Sequence, residues 1–477
     1  MRKLRELDPK QGFELGRVKL KVSNEKLIES AGLGTIIELF DSSLLSKEFA
    51  RCLPERKSNN SSGSYRLGLI LLASLLHGDD CLDDIELEFG ENQSAEAYFR
   101  GEIPVAKTFG DFLRDFSEEN LRDLSYFLTR MGFSVRNHFR AVLPDEHRPE
   151  EKPHFSVDST FHDQSGDKIE GCAFNYESRW GLSSEVVYDE KGIAFAGTLL
   201  TGNAKPGVKG PELLEQVLSE LRRKKIENPF EKVAFVSGDS AYMYEEFIRT
   251  CQMNHASFVI AARANIPWET NIPDPDSELW TKWVYSPADL LKWSKKKKDP
   301  PKRFLARWHW SPSWAPHLKF PVIIKKEWKA DDLFGGDAGS WNYHAVITNE
   351  DLIKHSYQEV YERYLMRANM ENFIKDAKMG FDAYHFPCLA MRANHAYLLM
   401  ILIAQNLLRW VSLITKPEKP HYAKKLRRKF IFQAGKLVSH ARQLTLYVTK
   451  KLKEEVERLK EAWGRQPVTI SPRRSSA

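Results

Sequence analysis

Three acidic residues stand in settings suited to hard metal chemistry: Asp158 in PHFSVDST, Asp239 in KVAFVSGDSAY and Glu371 in YLMRANMENFIKDAKMG. Hard divalent cations take oxygen ligands, and two ions about 4 Å apart need carboxylates from distant chain segments that flank and bridge them. Such a pair of ions acts on phosphodiester bonds. The expected cofactor is therefore two Mg²⁺ ions, with Mn²⁺ as a substitute, held by Asp158, Asp239 and Glu371.

Those acids must be carried by elements that bring them together. FSVDST, GLSSEVVYD and GIAFAGTLLTG read as three β-rich segments, and Pro211 to Arg223 reads as an amphipathic helix. KVAFVSGD is then a fourth strand, followed by a helix from Tyr244 to Gln252 and the strand ASFVIAAR. Three strands, helix, strand, helix is a ribonuclease H-like order, so the expected fold is an α/β core of that type with Asp158 and Asp239 on neighbouring strands. WNYHAVITN returns as a strand, and a long helix is expected from near His355 to a left-handed stop at Gly380. At about 100° per residue, Tyr364, Arg367, Glu371 and Lys378 fall within an arc of about 60°. This face either is a solvated charged stripe or turns toward the two aspartates. In the second case Arg and Lys would hold phosphates while the Glu holds an ion.

The 477 residues, 42% of them hydrophobic, are enough for two to four domains. Lys and Arg outnumber Asp and Glu by 71 to 65, a mild excess whose sign suits a polyanion if it is concentrated in patches. Five cysteines without CxxC spacing give no disulfide framework or zinc site and fit a reducing cytosol. The charged start MRKLRELDPKQGF has no apolar stretch behind it, and Gln405, Asn406 and Arg409 interrupt the apolar run from Leu398. Neither secretion nor membrane spanning is expected.

Along the chain, 1–150 is expected to be a helical DNA-binding domain. Its helices run from Leu27 to Phe49, Tyr65 to His77 and Leu121 to Val142, with a polar break at Ser58 to Ser64. Asp83 to Phe89, Ala95 to Phe99 and Thr108 to Phe116 either form a helix-turn-helix reader or are short packed helices. DEHRPEEK between prolines reads as a linker. The catalytic core spans 151–264 and 341–416, interrupted at 265–340 by a Trp-rich β insertion, and 417–477 is expected to be a basic helical C-terminal region with a helix from Ala434 to Trp463. Nine of the twelve tryptophans lie from Trp268 to Trp341, either filling the insertion or stacking on an unpaired base. Lys295 to Lys298 is either a solvated loop or a phosphate contact. The basic tail either binds DNA or a second protomer or is solvated. Leu389 to Thr415 is expected to pack as a helix on the sheet.

Tyr, two residues, Arg, three residues, Glu, six residues, Lys resembles the signature of DDE-type bacterial insertion-sequence transposases, and all four positions match. With VDST around Asp158 and GDSAY around Asp239, the chain most resembles the thirteen-eighty insertion-sequence family. That resemblance implies a transposase that binds the inverted-repeat ends of its element, cleaves them by two-metal hydrolysis and joins the 3′-OH ends to target DNA. It implies Asp158, Asp239 and Glu371 as catalytic metal ligands and Tyr364, Arg367 and Lys378 as contacts to transposon-end DNA. A Trp that stacks on a flipped base would be Trp341, or its place is taken by His344. The partners implied are double-stranded DNA, as transposon ends and target, and a second copy in a homodimeric synaptic complex, with no membrane. The location implied is the bacterial cytoplasm, on the nucleoid. His162 and Asp163 either assist in the pocket or bond within a loop. GNAKPGVKG lacks a GK[ST] ending, so ATP use is not supported. The rival readings are another ribonuclease H-like nuclease and a catalytically silent, transposase-derived DNA-binding protein.

Overall fold

The computed structural model describes residues 26–56, 63–90, 95, 98–99, 101–222, 231–264, 266–330, 339–440 and 443–465. Most of the polar break at 58–64, the charged start and the PRRSSA end lie outside these residues. Strand β1 (Lys26–Ile28) leads into helices Ala31–Asp41 and Leu44–Cys52 rather than into one helix from Leu27. Helices Ser64–His77, Asp83–Phe89, Ala106–Arg114 and Glu118–Val142 follow. Ser117 starts the last of these with a reciprocal cap, its Oγ accepting from Asn120 N while Asn120 Oδ1 accepts from Ser117 N.

The core sheet begins with β2 (His154–Asp163), the two-residue β3 (Ala173–Phe174), β4 (Trp180–Asp189) and β5 (Ala194–Thr201), where β4 pairs antiparallel with all three. Helix Gly210–Arg222 crosses to β6 (Ala234–Gly238), and helix Glu245–Met253 crosses to β7 (Ala256–Ala261). Because these connections are helical crossovers, β6 runs parallel to β2 and β7 parallel to β6. This is the expected strand order, compatible with a ribonuclease H-like α/β core.

The Trp-rich segment does not stand apart from that sheet. Its strands β8 (Thr281–Lys282), β9 (Arg303–Trp310), β10 (Phe320–Ala330) and β11 (Gly339–Thr348) continue it, because β11 pairs antiparallel with β7 while β10, β9 and β8 follow outward. Alternation along β11 divides its side chains between two faces. Ala345 and Ile347 join the main core, whereas Val346 packs with Trp283, Val360 and Tyr361 under helix Tyr357–Met366. Trp268 and Trp283 are buried, as a core-filling reading expects.

Helix Met391–Thr415 passes through the centre of the molecule. By length and composition alone it would cross a membrane, but 89% of its apolar window is buried by protein. Its polar residues grip neighbouring backbone. Asn406 exchanges bonds of 2.7 and 2.8 Å with Ala194 N and O, Gln405 donates to Phe373 O and accepts from Tyr188, and Arg409 donates to Lys191 O. One buried cluster runs continuously from Ala31 to Leu459, so the front helices and the sheet share a core.

Two expectations about the C-terminal half need correction. The predicted helix from Ala434 to Trp463 is instead a hairpin, β12 (Gly435–His440) and β13 (Gln443–Val448), followed by helix Lys450–Arg465. Leu437 and Leu446 pair across the hairpin, and β1 adds a third strand some 400 residues away in sequence, a long-range pairing that outweighs local helical preference. The tail is therefore mixed rather than helical. The left-handed stop is not Gly380, which lies inside helix Ala368–Gly380, where a Cβ would come within 2.9 Å of the Ala423 Cβ. The positive φ falls two residues later, at Asp382.

Candidate active site

Asp158 and Asp239 are placed by strand register. Ser156 on β2 lies level with Ser237 on β6, and their hydroxyls bond at 2.8 Å. Two residues further along two parallel strands returns to the same face, which sets Asp158 and Asp239 side by side. Asp239 follows the last residue of β6, and its Oδ1 accepts from Ala241 N at 2.8 Å to cap the turn Ser240–Tyr242. Its other oxygen is left for the site.

The expected single helix from His355 is two helices, Tyr357–Met366 and Ala368–Gly380, meeting at Arg367. The turn tightens there, with Arg367 N bonded to Tyr364 O at 3.1 Å and Met370 N to Arg367 O at 2.8 Å, both three residues apart. At this junction Arg367 Nη2 reaches Asp158 Oδ2 at 3.0 Å and Asp239 Oδ2 at 3.7 Å. One cation thus sits between the two carboxylates. Burial pushes Asp158 up to about 6 against the opposing pull of Arg367, and the Asp239 charge adds to the rise. The Arg367 Nε is buried without a hydrogen-bond partner, so the guanidinium is not fully satisfied there.

Tyr364 lies beside this cluster, its phenol pKa raised by burial and by both aspartates. Its ring lies tilted against that of His344, 5.2 Å between centres and 32° between planes. His344 bonds Tyr361 Oη at 2.6 Å and stays neutral, because burial and Lys325 push it down to about 4. Trp341 is three residues earlier on β11 and so faces the opposite side of the sheet, where it meets Trp328 at 5.2 Å. Lys326 Nζ stands 4.6 Å from both the Trp341 and the Trp280 ring centres. Of the two candidates for a stacking ring beside Tyr364, His344 is the one found there.

Lys378 donates to Phe161 O at 2.5 Å, tying helix Ala368–Gly380 to β2 just beyond Asp158. Burial and the nearby Arg179 lower its pKa to about 8. Glu371, one turn past Arg367, is exposed. Among the described residues no three His, Cys, Asp or Glu side chains form a group able to hold a metal ion. The site therefore unites Asp158, Asp239, Tyr364 and Arg367, anchors Lys378 to the same strand, and leaves Glu371 outside the cluster. The spot that Arg367 fills between two carboxylates has the donor chemistry of a divalent cation site. His162 has a structural role, fully buried and bonded to Ala383 O and Ser184 Oγ. Asp163 pairs with Arg179.

Several residues of the site carried no motif. Arg263, just after β7, donates to Ser240 O and Ala241 O and so fixes the Asp239 turn; its place at a strand end was the available signal. GNAKPGVKG is a clasp rather than a phosphate loop. Gly207, at φ +87°, gives its N–H to Ser159 Oγ and accepts from Tyr244 Oη at 2.6 Å, so the chain touches both aspartate-bearing segments. Glu185, paired with Ser159 across β2 and β4, is fully buried and accepts Lys209 N–H at 3.2 Å on each oxygen.

Burial pushes Glu185 up to about 7, against the amides of Lys209, Gly207 and Val208. Between about pH 4.5 and 7 the folded protein holds a proton that the unfolded chain has released. The resulting stabilisation is complete below that window and is lost as pH rises through 7. Glu185→Gln, neutral at every pH, should remove about 3 kcal/mol of pH dependence from urea unfolding across this range. An unchanged slope would show that Glu185 does not titrate there.

The family model described as Transposase DDE domain group 1 matches residues 15–459. No curated protein matches the chain.

Proposed function

The chain belongs to the transposase DDE domain group 1 family, and from that premise we propose that it binds the inverted-repeat ends of an insertion sequence, cuts them and joins the freed 3′-OH ends to target DNA. The observation that carries the reading is the convergence of Asp158 and Asp239 on one cationic point, supplied by Arg367 from the Tyr-Arg-Glu-Lys helix pair. The four residues of that signature, with the two aspartate motifs, support kinship with the thirteen-eighty insertion-sequence group.

Asp158 and Asp239 would hold divalent metal, with Glu371 completing the ligand set from the next helical turn. Two such ions supply activation of the attacking water and stabilisation of the leaving 3′ oxygen. Arg367 holds the carboxylates together before metal binds, and its unsatisfied Nε leaves it ready to turn to a phosphate, where its planar fork fits two oxygens. Lys378, on the following helix and bonded to Phe161 O, brings a second cation beside the strand of Asp158. Tyr364 and His344 would form a tilted aromatic pair at the edge of the site for an unpaired base to stack on. Two ends must be paired before cutting, so the working form would be a homodimer on double-stranded DNA.

The test is an assay of cleavage and strand transfer on DNA flanking the gene, with Mg²⁺, with Mn²⁺ and with EDTA. Cutting at inverted-repeat ends and joining to a target plasmid are expected with either metal and not with EDTA. Among the described residues Glu371 forms no metal-holding group with Asp158 and Asp239, which favours a second reading, a catalytically silent DNA-binding descendant. End binding without cutting in both metals would establish it.

A further inference from the structure

A cleft of about 630 Å³ opens at the residue after Asp158, bordering the site through Ser159, Glu185 and Lys378 but containing neither aspartate. Its floor is Ser159 to Phe161 on β2 and Ser183 to Glu185 on β4. One lip is the turn 174–179, and the other is the loop carrying Lys205. Lys378, already tied to Phe161 O, stands at its edge.

Both lips are built rigidly. Asn175 Oδ1 accepts from Glu177 N and Arg179 N at 2.9 Å each, and Asn175 N donates to Arg179 O at 3.0 Å. This frame holds Tyr176 82% exposed. Phe174 is paired with Trp180 and Phe161 with Arg179, whereas Tyr176 has no ring partner among the described residues. The opposite lip is fixed by the Gly207 and Lys209 amides on Ser159 and Glu185, and it presents an exposed Lys205. The acids of the cleft are occupied: Glu185 by backbone amides and Glu177 by Arg179 at 3.6 Å.

We propose that this cleft is a subsite for an unpaired nucleotide of the DNA strand that passes the Asp158–Asp239 pair, with the base stacked on Tyr176 and its phosphates between Lys205 and Lys378. A free aromatic face opposite a lysine, across a floor formed by the strand that carries Asp158, is the chemistry that receives single-stranded DNA. A pocket of this volume takes a small ligand and not a duplex. The proposal rests on the transposase reading for its DNA, and neither Tyr364 nor His344 lines the cleft.

The test uses the full chain and two versions of the element's terminal DNA, a blunt duplex and one with a short single-stranded tail, each measured by fluorescence anisotropy in Ca²⁺. Tyr176→Ala should weaken tailed DNA about tenfold, the loss of one base stack, leave blunt DNA unchanged, and be rescued by Tyr176→Phe. Lys205→Ala should weaken tailed DNA and lower its salt dependence. With 5-iodouracil in the tail, ultraviolet crosslinks should map to Tyr176. The proposal is overturned if tailed and blunt DNA bind the Tyr176→Ala protein as they bind the wild type, if both weaken equally, or if crosslinks map only to Tyr364 or His344. Discrimination by Tyr176 without any cutting by the wild type would keep the subsite and sink the transposase reading. Metal-dependent cutting by the wild type, with tailed DNA bound by the Tyr176→Ala protein as by the wild type, would do the reverse.

Discussion

Asp158→Asn is expected to lower end cleavage and strand transfer by about a thousandfold or more while end binding persists. The magnitude follows from the role: a metal ligand supports several kcal/mol of charge stabilisation in the transition state, and each 1.4 kcal/mol is a factor of ten. The fold should tolerate the change. Burial already holds the Asp158 carboxyl at about 6, above its ordinary range despite the Arg367 ion pair, so the charged form is the costly one and a neutral amide relieves that cost. Binding should hold or tighten, since a negative charge near the phosphate path is removed. Glu371→Gln should show the same split for a different reason: its side chain is exposed, so the fold loses little and only a ligand is lost. Gel-shift titration beside the cleavage assay checks both variants. Cleavage within tenfold of wild type in the Asp158 variant would remove that residue from the metal site, and the same result in the Glu371 variant would leave the aspartates without a third ligand.

The two halves of that site differ in how far the sequence discloses them. VDST puts an acid within a strand and VSGDS puts one at a strand end, and the ribonuclease H-like order makes the strands neighbours, so the Asp158–Asp239 pairing follows from that order with the register of β2 on β6. The Tyr-Arg-Glu-Lys spacing presumes one straight helix. The chain instead breaks register at Arg367, whose side chain is drawn to the aspartates, a long-range attraction that helical periodicity does not encode. Trp341 and His344 are both candidates by position in the sequence, and their odd spacing along the single strand β11 puts them on opposite faces. Glu185 and Gly207 matter through cross-strand and loop contacts, and nothing local marks them. The same limit explains the C-terminal hairpin, where the partner of GKLVSH is a three-residue strand at the other end of the chain.

Arg136→Met should destabilise the protein by about 3–5 kcal/mol at pH 7, the usual cost of stripping one partner from a buried ionic cluster. Arg136, on helix Glu118–Val142, is 3% exposed and bonds Asp189 at 2.9 Å and Glu190 at 2.7 Å, whose side chains are 0% and 5% exposed. Its other nitrogen donates to Glu150 O at 2.6 Å. This one guanidinium joins the last front helix, the linker before β2 and the end of β4, the strand that holds β2 in place. Without it two carboxylates face each other out of water. Asp189 is already raised to about 6, by burial first and Glu190 second, with Arg136 opposing, so losing the arginine should push it higher. The deficit should therefore shrink as pH falls, because the folded variant then takes up a proton that the unfolded chain does not. Urea unfolding at pH 5 and pH 8 checks the sign, and adding Glu190→Gln should recover part of the loss. Arg136→Lys keeps the charge but gives up the fork that spans two carboxylates and a carbonyl, and should fall between. A loss below about 1 kcal/mol for Arg136→Met would place this cluster in the class of surface ion pairs and remove it from what holds β4 against the front helices.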